Sequence, residues 1–404
     1  MKLALVSDLH IGYDRFYDDA YKQAKEALEA ASAAADAILI AGDIFDKRAP
    51  KPEVIAQAIN IFRELSRKHW AAQVVDFRNG DGKKIHTRVP IIAIPGTHER
   101  TAEGKENVLE LLSLAGLLVD ASESTVTVEK EGERVSVFAL GGISEERVRE
   151  VLERLGPKPV SGSFNVFMFH QSVYELLPFS DDFIHYDDLP KGFDLYYNGH
   201  IHSKVEAEVH GKKFLIPGST VLTQLKDGEQ EKKGFILFDT KSATYEFKTI
   251  PSRTFVARHI KVDSVAPKEL VEKCESEIEK ALATDKDKPI VKLYLEGTVA
   301  DGFNTADMPL HTLSARYSER CYLDIDYSKL TTPDLEKDIE ELRGNRIGES
   351  SVKELGMRTF LENLKGQKFD DRIDAARLFE ILSSNGNKEK IMKEVNDYIS
   401  SLEN

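Results

Sequence analysis

The chain has 404 residues, 41% of them apolar and 31% charged, with a net charge of −14. That composition suits a soluble globular protein, and the length exceeds one ordinary core, so two or three domains are expected. The acidic balance excludes a protein that coats nucleic acid by bulk electrostatics, although bound cations and local Lys/Arg clusters can still hold phosphates.

No apolar run approaches the roughly 20 residues of a membrane span. The start shows neither the basic region nor the cleavage site of a secretory leader. The two cysteines, Cys274 and Cys321, stand apart without a CxxC partner. A disulfide scaffold and a zinc-thiolate site are therefore not expected, and a cytosolic location is.

Along the chain, apolar runs that read as buried strands each lead into residues of metal-ligand type. Lys2–Val6 precedes Asp8-Leu9-His10, and the spacing then predicts a helix over Asp18–Ala34. Ala37–Ile40 precedes Gly42-Asp43-Ile44-Phe45-Asp46, followed by a helix over Pro52–His69 with proline in its first turn. Residues 71–88 read as an inserted hairpin with Asn79-Gly80-Asp81-Gly82 as its turn. Ile91–Ile94 precedes Gly96-Thr97-His98-Glu99, and a helical pattern covers Gly104–Ala115. Thr125–Lys130 and Arg134–Ala139 pair across Glu131-Gly132-Glu133. Asn165–Phe169 precedes His170-Gln171, and Asp194–Tyr197 precedes Gly199-His200-Ile201-His202. Two further strand pairs, Lys204–Val209 with Lys213–Ile216 and Gly234–Asp239 with Thr244–Ile250, complete an α/β sandwich over residues 1–252.

From residue 253 the pattern restarts. Strands at Thr254–Val262, Pro289–Glu296 and Cys321–Asp326, with a helix at Pro267–Ala283, predict a small α+β domain over 253–330. Residues 331–349 have a linker's composition. Residues 350–404 hold three short helical patterns, marked by Val352 to Leu364, Ile373 to Leu382 and Ile391 to Leu402, too few residues to bury a core comfortably.

Side chains at the ends of strands in one sheet converge in space. Asp8 and His10, spaced i, i+2, point to one side of an extended chain and can grip one cation. Asp43 follows Gly42, whose missing side chain lets backbone pass close, and its two oxygens suit it to bridge two cations. His170, His200 and His202 add imidazoles, which favour manganese, iron or zinc over magnesium or calcium. Lys47-Arg48 with Lys51, Arg78 with Lys83-Lys84, and Lys232-Lys233 are candidate phosphate-holding clusters, each equally readable as a solvated patch.

The order and type of these five segments resemble the calcineurin-like metallophosphoesterases. The resemblance implies a four-layer sandwich, two mixed β-sheets flanked by helices. It implies two divalent cations held by Asp8, His10, Asp43, His170, His200 and His202, and a His98 that serves the phosphate rather than the metal. Glu99 then either orients His98 or is structural, and Asp46 either accepts a hydrogen bond behind the ligands or caps the loop. The family motif has Asn where this chain has Thr97, whose shorter neutral hydroxyl is a poorer ligand for the second cation.

Flanking residues narrow the resemblance to the archaeal DNA double-strand-break repair nucleases called meiotic recombination eleven, SbcD in bacteria. The runs that carry it are Asp8 to Tyr13, Gly42 to Pro50, His170 to Val173, Asp188-Leu189-Pro190, Tyr196 to His202, Ile216 to Ser219 and Lys232 to Phe235. The resemblance implies a manganese-dependent 3′-to-5′ exonuclease and single-strand endonuclease that forms homodimers and is cytoplasmic and nucleoid-associated. It implies that residues 253–330 cap the site and select DNA, and that 350–404 grip an SMC-like coiled-coil ATPase. The alternatives are a phosphatase of the same superfamily and, because of Thr97, a catalytically weakened scaffold.

Overall fold

A computed structural model describes residues 1–79, 85–100, 107–226, 232–284, 288–332 and 374–382, together with 392, 395 and 398. The 331–349 stretch, most of the tail patterns, Lys83-Lys84 and the Gly80-Asp81-Gly82 turn lie outside the described residues, Thr331 and Thr332 apart.

In chain order the first part runs β1 (Lys2–Val6), α1 (Tyr17–Ala34), β2 (Ala37–Ala41), α2 (Pro52–Ser66), β3 (Gln73–Asn79), β4 (Ile91–Ile94), α3 (Val108–Leu114), β5 (Val119–Asp120), β6 (Ser124–Lys130) and β7 (Glu133–Leu140). Then come α4 (Glu145–Leu155), β8 (Phe164–Phe169), β9 (Leu195–Asn198), β10 (Val205–Val209), β11 (Lys212–Ile216), β12 (Gly234–Asp239) and β13 (Thr244–Thr249). They form a six-stranded sheet, β13-β12-β1-β2-β4-β5, and a seven-stranded sheet, β10-β11-β9-β8-β7-β6-β3. Both are mixed: β1, β2, β4 and β5 are parallel, β12 runs against them, and β13, antiparallel to β12, points their way again. In the second, β7, β8, β9 and β11 are parallel.

The inner strands, such as β2 and β4, read as unbroken apolar runs because they are covered on both faces. With side chains alternating, Leu3 and Leu5 of β1 point into a core shared with Val137, Val166, Met168 and Tyr197 of the second sheet. Ala4 and Val6 point the other way, into a core with Leu28 of α1 and Phe62 of α2. A third core packs Phe167, Phe169 and Phe138 against Val148, Val151 and Leu152 of α4. Helix, sheet, sheet and helix are the expected four layers.

The inserted segment differs from its expectation. Instead of a hairpin, its first arm becomes β3, an edge strand that pairs antiparallel with β6, with a register irregularity between Val74 and Asp76. Among the described residues 85–88 there is no second strand, although Arg88 accepts a hydrogen bond from the Val74 amide.

The chain divides into two compact units. The first holds Met1–Ala257 with Ala281–Lys292 and Glu319–Tyr322; the second holds the remainder from Arg258. Beyond β13 lie β14 (Phe255–Val265), α5 (Pro267–Thr284), β15 (Ile290–Val299), α6 (His311–Tyr317) and β16 (Tyr322–Thr331). The three strands form a sheet in the order β14-β15-β16. In the tail, α7 (Ala375–Leu382) is preceded by Asp374, whose amide donates to the Tyr398 hydroxyl at 2.7 Å.

Candidate metal centre

The site is built where β1, β2, β4, β8 and β9 end. Its loops are tied together through their backbones. The amides of Asp8, His10 and Ile11 donate to the carbonyls of Gly42, Asp43 and Ile44, and the Gly199 amide donates to Phe169. Asp8, His10, Asp43 and His200 all have φ between 46° and 71°, the left-handed region that L-residues enter at a cost of about 1–3 kcal/mol each. Such strain persists only where the surroundings over-determine it. Gly42 and Gly96 permit that packing: a Cβ on Gly42 would lie 2.4 Å from His170 Nδ1, and one on Gly96 2.1 Å from Asp43 Oδ1.

Three sets of side chains come close enough to share an ion. They are Asp8 with His10 and His202, Asp8 with Asp43 and His170, and His10 with Asp46 and His98. The expected ligands thus converge, with one difference in emphasis. Asp8 and His10 each belong to two sets and Asp43 to one, with Asp43 and Asp8 sharing the set that holds His170. His200 stands beside these sets, its backbone amide donating to Asp8 Oδ1 at 3.2 Å. Thr97 Oγ1 lies 3.4 Å from His200 Nδ1.

The donor chemistry fits divalent cations. His170 Nδ1 faces the Ala41 carbonyl at 2.7 Å, so that nitrogen carries the proton and Nε2 turns toward Asp43 Oδ2, 3.4 Å away. His202 Nδ1 meets the Thr223 hydroxyl, and His202 Nε2 lies 3.1 Å from His10 Nε2. Asp8 Oδ2 and His170 Nε2 are buried without a hydrogen-bond partner, a costly state that a cation would relieve.

Electrostatics separate the ligands. Burial raises the Asp8 carboxyl to about 6, helped by Asp43 and opposed by His170. Burial also opposes ionisation of Asp43, but His170 and His10 beside it hold its carboxyl far below the usual range. His170 loses by burial yet gains more from Asp43, and rises to about 9. Burial and the charge of His170 lower His200 to about 3, and burial with His10 lowers His202 strongly.

His98 is turned outward. Its Nδ1 meets the Asp46 carbonyl, its amide donates to Asp43 Oδ1 at 2.9 Å, and its side chain is 40% exposed. Asp46 uses its carboxylate on His10 Nδ1, 3.4 Å away.

Glu99 is 1% exposed and accepts from the amides of Asp43 at 3.1 Å, Gly96 at 2.7 Å and Phe45 at 2.7 Å, clamping two loops together, contacts that suit the structural alternative. Two supports went unread in the sequence. Tyr197 reaches from the second sheet into the first, where its hydroxyl meets the carbonyls of Val6 and Leu39 and the Ala41 amide. Lys233, read as part of a phosphate-holding patch, is buried and donates to the His202 carbonyl and Ser219 Oγ. No helix among the described residues is long and apolar enough to cross a membrane.

The sequence profile described as calcineurin-like phosphoesterase matches residues 1–204. The chain is 27% identical over 316 residues to a Sulfolobus acidocaldarius protein named DNA double-strand break repair protein Mre11, covering 74% of this chain and 76% of that one. A Methanopyrus kandleri protein of the same name is 27% identical over 263 residues, covering 59% of this chain and 54% of its own length. The Coprinopsis cinerea double-strand break repair protein MRE11 is 26% identical over 322 residues, covering 67% and 44%. The chain therefore spans between under half and about three quarters of these relatives.

Proposed function

The chain belongs to the calcineurin-like phosphoesterase family, and from that premise we propose that it is a DNA nuclease of double-strand-break repair that hydrolyses phosphodiesters with two divalent cations, manganese first among them. The observation that carries this is the pair of Asp/His triads, buried except for a half-buried His202, that share Asp8 at one edge of the sandwich. The relatives named for break repair direct the choice of substrate to DNA.

When bound, the cations supply Lewis acidity and a water acidic enough to act as nucleophile at neutral pH. The protein's own residues do the rest. Asp8, His10, Asp43, His170, His200 and His202 hold and orient the ions, with Thr97 a weak contributor at the second site. His98 presents Nε2 to the phosphate, where it stabilises the developing charge or gives a proton to the leaving oxygen. The backbone hydrogen bonds on its other side fix that orientation. Exonuclease polarity from 3′ to 5′ and single-strand endonuclease activity complete the reading, as do a homodimer, residues 253–330 as a DNA-selecting cap and 350–404 as the segment that binds a coiled-coil ATPase. The cytoplasm, at the nucleoid, is the corresponding location.

The test is a manganese-dependent cleavage assay on labelled single-stranded and blunt duplex DNA. Asp8→Ala should abolish cleavage together with metal binding, and His98→Leu should lower turnover by about 100-fold or more while leaving metal binding intact. Cleavage that survives Asp8→Ala, or wild-type protein that binds metal and cuts only phosphomonoesters, would refute the reading.

A further inference from the structure

His200 faces a hydroxyl at each ring nitrogen. Thr97 Oγ1 lies 3.4 Å from Nδ1 and Ser172 Oγ lies 3.0 Å from Nε2. Ser172 is 4% exposed and its Oγ also lies within 3.5 Å of Glu145 Oε1, at the start of α4. Glu145 in turn stands 3.9 Å from Arg100 Nη2, and Arg100 donates to the Ile143 carbonyl. Because Arg100 and Thr97 share one loop, the contacts close into a circuit that runs through His200 and returns to that loop.

The direction of the hydrogen bonds follows from chemistry. A carboxylate acts as an acceptor, so the single Ser172 proton is assigned to Glu145, although that contact is long at 3.5 Å and His200 Nε2 lies nearer at 3.0 Å. The Ser172 oxygen is then an acceptor toward His200, which requires the imidazole proton on Nε2. A neutral imidazole has one donor and one acceptor nitrogen, so Nδ1 is left bare.

We propose that Ser172 and Glu145 are positioning residues that set the tautomer of His200, with Arg100 steadying Glu145 and Nδ1 left free for a cation beside Thr97. Metal-binding histidines commonly give their other ring proton to a carboxylate or carbonyl, which orients the ring and fixes the tautomer. Here a serine stands between the imidazole and the carboxylate. In the metal-free protein the Thr97 hydroxyl can donate to the same Nδ1, so a cation there competes with a weak hydrogen bond rather than with a proton. The inference rests on the two-cation reading given above.

Ring-nitrogen NMR on histidine-labelled full-length protein without metal tests the relay apart from that reading. The expected result is a protonated Nε2 and a bare Nδ1 at His200 in the wild type, with that preference lost in Ser172→Ala. Manganese titration then supplies the second readout. Ser172→Ala should weaken the second cation by about 10- to 100-fold and spare the first, with a smaller loss in Glu145→Gln, which keeps an oxygen acceptor but no charge. A proton on Nδ1 in the wild type would overturn the proposal, as would a Ser172→Ala protein with unchanged tautomer and unchanged second-cation affinity. Wild-type protein that shows the Nε2 proton but binds no second cation would instead refute the two-cation reading and leave the relay standing.

Discussion

Single residues show how the site resists its own electrostatics. Glu99 is a buried carboxyl raised to about 7, first by burial and then by Asp43, yet three backbone amides converge on it. Its main task is to satisfy those amides and lock the Gly42–Phe45 and Gly96–Glu99 loops together. Glu99→Ala leaves them without their partner at about 1–3 kcal/mol each. Urea unfolding should therefore show a loss of about 3 kcal/mol or more, and a change below about 1 kcal/mol would mean water replaces the carboxylate. The proposed ligands themselves impose a pH dependence on metal loading. With His170 at about 9 and Asp8 at about 6, both lie above their ordinary values in the metal-free protein. At neutral pH the cation must displace a proton from His170 but not from His200 or His202, which burial keeps neutral. Manganese affinity should rise with pH up to about 9 and fall more steeply below about 6, where Asp8 also holds a proton. Calorimetry near pH 7.5 in buffers of different ionisation enthalpy should register about one proton released from His170. An affinity flat between pH 6 and 8 would count against this assignment.

At the scale of elements, the strands position the ligands and one side chain staples the sheets. Tyr197 alternates into the core between the two sheets, with its hydroxyl on Val6, Leu39 and Ala41, directly behind the Asp8 and Asp43 loops. The Ala41 carbonyl also accepts from His170, so one residue of β2 receives support from two strands of the other sheet. Tyr197→Phe should cost about 1–3 kcal/mol in denaturant unfolding and weaken metal binding in parallel; a stability loss with unchanged metal affinity would separate the staple from the site. The strands that carry ligands were legible in the sequence because burial on both faces leaves unbroken apolar runs such as Lys2–Val6 and Ile91–Ile94. Other features were not. β3 reads as a hairpin arm, but its partner is β6, about 50 residues on, and local pattern does not announce a distant partner. β5 and α6 are too short to stand out. α4 has only Val148, Val151 and Leu152 buried in an otherwise charged stretch. The supports of the site were hidden for a related reason. Glu99, Tyr197 and Lys233 act on backbone atoms remote in sequence, and no spacing rule encodes such contacts.

On the proposed nuclease reading, the whole molecule joins an acidic chain to a reaction on a polyanion. A net charge of −14 repels DNA at long range, so affinity has to come from the cations and from nearby positive groups such as Arg48 and Lys51. A partner that brings DNA to the site would offset that deficit, and the C-terminal tail is the segment we assign to that role. Roughly 55 residues bury only a marginal core by themselves. The described part nonetheless shows internal order: α7 places Arg377 over the Tyr398 ring at 5.2 Å, and the Tyr398 hydroxyl takes the Asp374 amide. Phe379 and Ile381 of α7 are half-buried, and Tyr398 is buried within this chain. Deleting residues 350–404 should abolish co-elution with the base of a coiled-coil ATPase while cleavage of naked DNA by residues 1–349 persists. A complex that survives the deletion would move the partner surface elsewhere. Loss of cleavage together with binding would show instead that the tail stabilises the catalytic part, and the packing of Tyr398 would then have to be explained within this chain.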